Sequence, residues 1–209
     1  MKLSELKPFL YDWSGVNEDT FSRIYGMGIK PLELALPKLD WLGDYKNFPY
    51  FVMAALIMLM VQYIRDRGIV KEYNRKVARR SIAWLVTFIG GFVLMAFLVG
   101  VLKEYFGYAR PYIALAPHVN PLYGDIDVNK AYQSFPSGHV AFTTFWVAAL
   151  FSRSALAIKW ALLLLVALMC WFRVAAGLHF PADVIASIII GIICFAFTKR
   201  IVYWVFRTR

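Results

Sequence analysis

Apolar residues form five runs along the chain, and each run is nearly free of charged side chains. They cover residues 48–64, 81–102, 139–151, 159–172 and 181–198, and residues 201–206 extend the last run with aromatic side chains. The second run carries no charge and is as long as the ~20 residues that a helix needs to cross a bilayer. We therefore predict an all-α integral membrane protein, a bundle of about five or six transmembrane helices.

Residues 1–46 follow a different pattern, because charged residues alternate with aromatic ones, and Pro31 and Pro37 interrupt the segment. No stretch here is long or apolar enough to span a membrane. Trp and Tyr favour the membrane surface, so the segment predicts N-terminal interfacial helices ahead of a transmembrane domain at residues 47–209. The first residues lack an apolar core followed by a small-residue cleavage site, so we expect no removable signal peptide.

The composition agrees with a membrane protein. Of the 209 residues 60% are hydrophobic, whereas soluble chains have roughly 45–50% apolar residues. A net charge of +10 would suggest nucleic-acid binding in a soluble chain. Here the basic residues cluster at the ends of the apolar runs, so we predict contact with the bilayer and no nucleic-acid partner. Cys170 and Cys194 lie inside apolar runs, which argues against a disulfide framework.

The basic residues also predict the orientation of the bundle. They concentrate in the first loop, the third loop and the C-terminal tail, which share one side if there are five spans. Positively charged loops face the cytoplasm. We therefore expect the other loops and the N-terminal segment at the periplasmic or outer face of the cell inner membrane. The basic residues are Arg65, Arg67, Lys71, Arg75, Lys76, Arg79, Arg80, Arg153, Lys159, Lys199, Arg200, Arg207 and Arg209.

The first candidate cluster on that outer side is Lys103 with Arg110-Pro111, at the exit of the second run. Pro111 disfavours helical geometry at Arg110, so the helix is expected to end before it. The planar fork of Arg110 matches phosphate oxygens, and Lys103 adds a point charge. The alternative is that both residues are ordinary interfacial cations that extend toward lipid head groups.

The second cluster, Pro136-Ser137-Gly138-His139, opens the third run. A helix N-terminus presents free N–H groups and a favourable dipole to an anion. Ser137 adds a hydroxyl, and Gly138 allows close approach of a ligand to the backbone. A plain turn with Ser137 as the helix cap is the alternative. His139 favours the anion site, because an imidazole at a membrane boundary needs a polar partner.

The third cluster joins the fourth and fifth runs and contains Arg173, His179 and Asp183. Pro181 is suited to the first turn of the last helix. Asp183, one turn further, is placed to bind one nitrogen of His179 and leave the other free as a nucleophile. The alternative is a structural His–Asp pair that holds the loop.

The chain offers little for a metal or cofactor. Asp125 and Asp127 alternate in an outer loop, but no third ligand is near them in the sequence, and neither cysteine has a ligand-like neighbour. His118 is expected to be solvated. The residues themselves therefore give no support for a metal or cofactor site.

In order and spacing, the three clusters resemble the signature blocks of the type-2 phosphatidic acid phosphatase superfamily, with no departure at a motif position. The resemblance extends over residues 20–200, and Gly43-Asp44 is a loose further match. It implies a metal-independent, two-step phosphatase without a cofactor, in which His179, oriented by Asp183, forms a phosphohistidine. His139 would protonate the leaving lipid oxygen and then activate water. The phosphate would be held by Lys103, Arg110, Ser137, Gly138 and Arg173.

The resulting hypothesis is an integral membrane lipid phosphatase acting on undecaprenyl diphosphate, phosphatidylglycerophosphate, phosphatidate or a lipid A phosphate. The short outer loops favour the first three, since they leave little surface for a large sugar head group. A lipid phosphotransferase with the same site is one alternative. A non-catalytic head-group binder is another, although binding alone does not require His179 and His139. Soluble vanadate-dependent haloperoxidases share the motifs, but five apolar runs argue against that function. The sequence does not indicate an oligomeric state.

Overall fold

The computed structural model describes residues 11–27, 36–65, 71–121 and 128–206. Within these ranges the chain is helical and contains no strand. Asp125 and Asp127 lie outside the described residues, as do Pro31, Arg67, Arg207 and Arg209. The helices are α1 (Val16–Gly26), α2 (Leu36–Gly43), α3 (Phe48–Arg65), α4 (Lys71–Phe106), α5 (Pro111–Ala114), α6 (Gly138–Phe151), α7 (Leu156–Ala175) and α8 (Pro181–Val205).

Four segments of the described chain are long and apolar enough to cross a membrane: Tyr45–Ile64, Val77–Ala114, Leu156–Ala175 and Pro181–Val205. The fifth apolar helix, α6, has 14 residues. At about 1.5 Å per residue it is roughly 21 Å long, which is shorter than the ~30 Å hydrocarbon layer. These helices correspond to the five predicted runs, and the all-helical membrane bundle is confirmed.

Helix α4 is longer than its apolar run. It contains 36 residues, which is roughly 54 Å at the helical rise and more than a bilayer core requires. The excess includes Arg79 and Arg80, which are exposed. A helix satisfies its own backbone hydrogen bonds, so it continues into the polar region while charged side chains point outward. The apolar run at residues 81–102 therefore predicted the central part of α4, but not the polar turns that extend the helix to Lys71 and Phe106.

Helix α8 is central to the bundle and packs along α6 and α4, while α7 packs on α6. The aromatic side chains of Phe142 and Phe145 on α6 are completely buried between these helices. Helix α3 packs on α4 and leaves Met53, Ile57 and Met60 exposed. In a bilayer these exposed side chains contact lipid, because hydrocarbon is their favourable environment.

Where the sequence predicted short interfacial helices, the described residues form α1 and α2, and both contact the bundle. Helix α1 packs on α7 and α8, and α2 packs on α6 and α7. Phe21 of α1 is completely buried, with its ring centroid 5.2 Å from that of Phe180. The N-terminal segment therefore reaches the turn that carries His179. The division into residues 1–46 and 47–209 stays a prediction.

Candidate active site

All three sequence clusters lie at one end of the bundle, because α4 ends there, α6 begins there and the α7–α8 turn lies there. As expected, α4 ends before Arg110, which has extended geometry (φ −71°, ψ 157°) ahead of Pro111. The Arg110 N–H donates to the Ala131 carbonyl at 2.8 Å. Lys103 Nζ donates to the Gln133 carbonyl at 2.6 Å. The first cluster is thus tied to the loop that leads into the second.

Ser137 is the N-cap residue of α6, but its side chain makes no capping hydrogen bond. Its Oγ atom is buried, and no residue in the described part of the chain is its hydrogen-bond partner. A buried hydroxyl without a partner is costly, and the first N–H groups of a helix also need acceptors. The arrangement does not match the plain serine cap considered above and suits an anion with several oxygens.

The α7–α8 turn is shaped by Gly177, which has φ +72°, in the left-handed region that favours glycine. A Cβ there would also lie 3.2 Å from Val119 Cγ1. The Arg173 carbonyl accepts from the His179 N–H at 3.2 Å, which closes the end of α7. Pro181 takes the first position of α8, as predicted.

Asp183 lies opposite His179 with its carboxylate completely buried. His179 Nδ1 is 3.4 Å from Asp183 Oδ2, a long separation for a hydrogen bond. Three further donors hold the carboxylate: Tyr11 Oη at 2.8 Å from Oδ1, Ser134 Oγ at 2.6 Å from Oδ2, and the Phe180 N–H at 2.9 Å from Oδ2. Asp183 is therefore fixed by its surroundings, beside the imidazole whose orientation it is predicted to control.

His179 is buried, and three cations lie near it. Burial, followed by the charges of Arg110, Arg173 and Lys103, lowers the pKa of His179 well below its ordinary value. The imidazole is therefore neutral at pH 7. A proton on Nδ1, the nitrogen that faces the Asp183 carboxylate, would leave the lone pair on Nε2, which is the form a nucleophilic histidine requires.

A carboxylate that the sequence did not point to joins the second and third clusters. Asp40 Oδ1 accepts from Arg173 Nη1 at 2.5 Å and lies 3.3 Å from His139 Nε2. Burial alone would raise the pKa of Asp40, but the hydrogen bond with His139 and the charge of Arg173 outweigh it and lower the pKa to about 2. Asp40 is thus ionised at every physiological pH.

Three residues at the site were missed from the sequence: Asp40, Tyr11 and Ser134. Asp40 and Tyr11 belong to the N-terminal segment, and their partners lie 133 and 172 residues away along the chain. A single acid or tyrosine in an amphipathic stretch carries no local pattern. The nearest signal to Asp40 in the sequence was the loose Gly43-Asp44 match. The structure gives a reason for glycine there, because a Cβ at Gly43 would lie 3.0 Å from His139 Cβ.

We expect Tyr11→Phe to destabilise the protein, because it removes one of the donors to the buried Asp183 carboxylate. Burial, followed by the charge of Asp183, raises the pKa of Tyr11, so the hydroxyl remains a donor. Hydrogen bonds to charged groups are worth about 1.5–3 kcal/mol. The apparent melting temperature in detergent measures the loss. Tyr25→Phe is the control, since Tyr25 Oη donates to the Asn120 carbonyl at an exposed position. Equal losses in both variants would contradict the role of Tyr11.

The described residues contain no group of three His, Cys, Asp or Glu side chains arranged to hold a metal ion. His118 is exposed, as expected. Cys170 is partly buried and Cys194 is buried, and both are free thiols. The charged and imidazole side chains that meet at the site are His139, His179, Asp40, Asp183, Lys103, Arg110 and Arg173.

Comparisons with known proteins place the chain in a family and support its fold. Residues 84–207 match the model of the PAP2 superfamily. LpxE from Aquifex aeolicus has a similar structure, with a TM-score of 0.69 and 25% identity over 88% of this chain and 95% of that one. The first transmembrane PAP2-type phosphatidylglycerolphosphate phosphatase from Bacillus subtilis has a TM-score of 0.65 and 17% identity, over 95% of this chain and 90% of that one. No curated protein sequence matches the chain.

Proposed function

This chain belongs to the PAP2 superfamily, and from that premise we propose that it hydrolyses a lipid phosphate or diphosphate through a phosphohistidine at His179. It is a multi-pass membrane protein of a lipid phosphatase family. One observation carries the proposal: the buried His179 has Nδ1 toward Asp183 and experiences the positive charges of Lys103, Arg110 and Arg173. A neutral nucleophile surrounded by cations is suited to attack an anionic phosphorus centre.

The phosphoryl group would be held by the three cations together with the start of α6. Arg173 Nε is buried and, among the described residues, has no hydrogen-bond partner, as is also true of Ser137 Oγ. Both atoms are therefore available to non-bridging phosphate oxygens. The α6 N-terminus, which begins at Gly138, adds backbone N–H groups and its dipole. These donors stabilise the charge that develops on the oxygens in the transition state.

In the first chemical step, His179 Nε2 would attack phosphorus, and the bond from phosphorus to the leaving oxygen would break. His139 would give a proton to that oxygen and release the dephosphorylated lipid. In the second step, His139 would take a proton from water, whose oxygen attacks phosphorus and regenerates His179. Asp183 would stabilise the positive charge on His179 in the intermediate. Each proton and bond is accounted for by these two histidines, so the steps need no metal.

The membrane position of the site supports a lipid substrate on the outer face. Helices α6 and α7 meet at the end opposite the clusters, and Arg153, Lys159, Lys199 and Arg200 lie at that end. The positive-inside rule assigns it to the cytoplasm, which would leave the active site facing the periplasm or exterior. The motif residues would contact only the phosphate, so they do not indicate which lipid carries it. On the sequence argument alone, we favour a polyprenyl diphosphate or a glycerophospholipid phosphate over lipid A.

The first test is phosphate release by the purified protein in detergent. Undecaprenyl diphosphate, phosphatidylglycerophosphate, phosphatidate and a lipid A phosphate would be compared, each with and without EDTA. We expect turnover of at least one lipid at a rate that EDTA does not change, because the proposed steps use no metal. Loss of activity in EDTA that a divalent ion restores would contradict the metal-independent mechanism.

The same assay separates the alternatives. Transfer of phosphate to an added lipid acceptor without release of free phosphate would indicate a phosphotransferase. Binding of lipid phosphates without turnover of any of them, by protein whose helical content is intact, would indicate a head-group binder. Either result would overturn the hydrolase proposal.

A further inference from the structure

The Asp40 carboxylate lies where a substrate oxygen would be expected. Its Oδ1 contacts the guanidinium of Arg173 and faces His139 Nε2. These are the groups to which the proposed function assigns a phosphate oxygen and the leaving oxygen. Asp40 Oδ1 therefore contacts both Arg173 and His139, the two groups that would otherwise contact the substrate.

The Asp40 side chain is more accessible than the guanidinium that it contacts. It is 43% exposed, whereas the Arg173 side chain is 6% exposed. The side chain of His139, its other partner, is 21% exposed. A Cβ at Gly43 would lie 3.0 Å from His139 Cβ, so α2 packs directly against this histidine. Asp40 therefore faces the outer surface, and Arg173 lies enclosed behind it.

A bound phosphate and an ionised Asp40 compete for the same donors. Arg173 Nη1 is already occupied by Asp40, and two anions beside one guanidinium repel each other strongly in a partly desolvated site. Charge-assisted hydrogen bonds are among the strongest in proteins. An anion that enters must therefore replace contacts of comparable strength with its own.

We propose that Asp40 acts as a built-in competitor of phosphate: it weakens the binding of every phosphate ligand at Arg173 and His139 and thereby favours release of inorganic phosphate, the product. The inference rests on the proposed lipid phosphatase function. A lipid substrate offsets the displacement of Asp40 by contacts of its apolar chains along the bundle. Inorganic phosphate, the product, has no such contacts, so the return of Asp40 to Arg173 and His139 favours its release.

The test measures the affinity for inorganic phosphate in the wild type and in Asp40→Asn. Titration calorimetry gives the Kd in detergent, and product inhibition gives the Ki wherever turnover is observed. We expect both constants to fall by roughly tenfold or more in Asp40→Asn, because the competing charge is gone while the side-chain shape is kept. Asp40→Glu keeps the carboxylate and is expected to stay within about threefold of the wild type.

Asp44→Asn is the matched control. It removes the same charge one turn away, and asparagine still caps the turn in which Asp44 accepts from the Lys46 N–H at 3.0 Å. We expect an unchanged phosphate Kd. Equal tightening in Asp44→Asn would mean that general electrostatics, not competition at Arg173, is responsible. An unchanged or weaker Kd in Asp40→Asn, with a lower kcat, would instead make Asp40 a positioning residue for His139 and overturn the proposal.

Calorimetry also separates this inference from the function on which it rests. If the wild type hydrolyses no lipid in the panel, the phosphatase proposal fails, yet the Kd values for inorganic phosphate still decide whether Asp40 competes. If lipid hydrolysis is observed and the Kd does not change in Asp40→Asn, only the competitor role fails.

Discussion

His179→Ala is expected to lower kcat by at least about 10⁴-fold, since removal of a nucleophile eliminates the covalent route. Binding of a lipid phosphate should be largely retained, because Lys103, Arg110 and Arg173 remain. Two measurements check this: phosphate release in detergent, and capture of protein-bound phosphate during turnover of labelled lipid. The wild type should carry phosphate that is stable in alkali and labile in acid, and the variant should carry none.

His118→Ala is the control for this experiment, since His118 is exposed on the same side of the bundle. It should retain wild-type kcat. Asp183→Asn is expected to cost less than His179→Ala, because it leaves the nucleophile in place and affects only its orientation. Full activity in His179→Ala, or a labelled phosphate that persists in it, would refute the phosphohistidine mechanism.

Arg173→Lys is expected to reduce kcat/KM by about 10²–10³-fold, although it preserves the charge. Without substrate, Arg173 Nη1 donates to Asp40, and the buried Nε has no hydrogen-bond partner among the described residues. With Asp40 displaced, the planar guanidinium would hold two phosphate oxygens, whereas a lysine has a single ammonium group and cannot hold both in this geometry. Steady-state kinetics on whichever lipid is hydrolysed in the panel measures the effect.

Arg153→Lys is the matched control for Arg173→Lys. The Arg153 guanidinium lies 5.0 Å from the Trp84 ring centroid, at the opposite end of the bundle. The same chemical change there should leave kcat/KM unaltered. If Arg173→Lys were as active as the wild type, Arg173 would act only as a positive charge, and the proposed contact of two of its nitrogen atoms with phosphate oxygens would be wrong.

Much of the architecture follows from local patterns in the sequence. Uncharged apolar runs must form helices in lipid, where each backbone group has to be satisfied within the segment. The five runs therefore predicted the five apolar helices. Pro111 and Pro181 located a helix end and a helix start, because proline restricts the backbone wherever it occurs. The contact of His179 with Asp183 was also predictable, since the two residues are one helical turn apart.

The outer layer of the site depends on contacts between residues that are distant along the chain. Tyr11 and Asp40 reach Asp183 and Arg173 only because α1 and α2 pack against α7 and the helices beside it. The apolar residues of the N-terminal segment predicted attachment to a membrane surface. These residues do not specify whether the segment packs on lipid or on protein, because burial of apolar side chains is favourable against either surface.

The N-terminal segment limits how this chain can be recombined with its relatives. Asn17 Oδ1 accepts from the Ala182 N–H at 2.9 Å, next to the hydroxyl of Tyr11 on Asp183. Both residues precede the stretch that matches the family model, residues 84–207. A chimaera that joined this stretch to the leading segment of another family member would inherit every motif residue but lose Tyr11 and Asn17, which brace Asp183 and the start of α8. The native packing of this turn would return in such chimaeras only when residues 11–26 were transplanted together with helix α8.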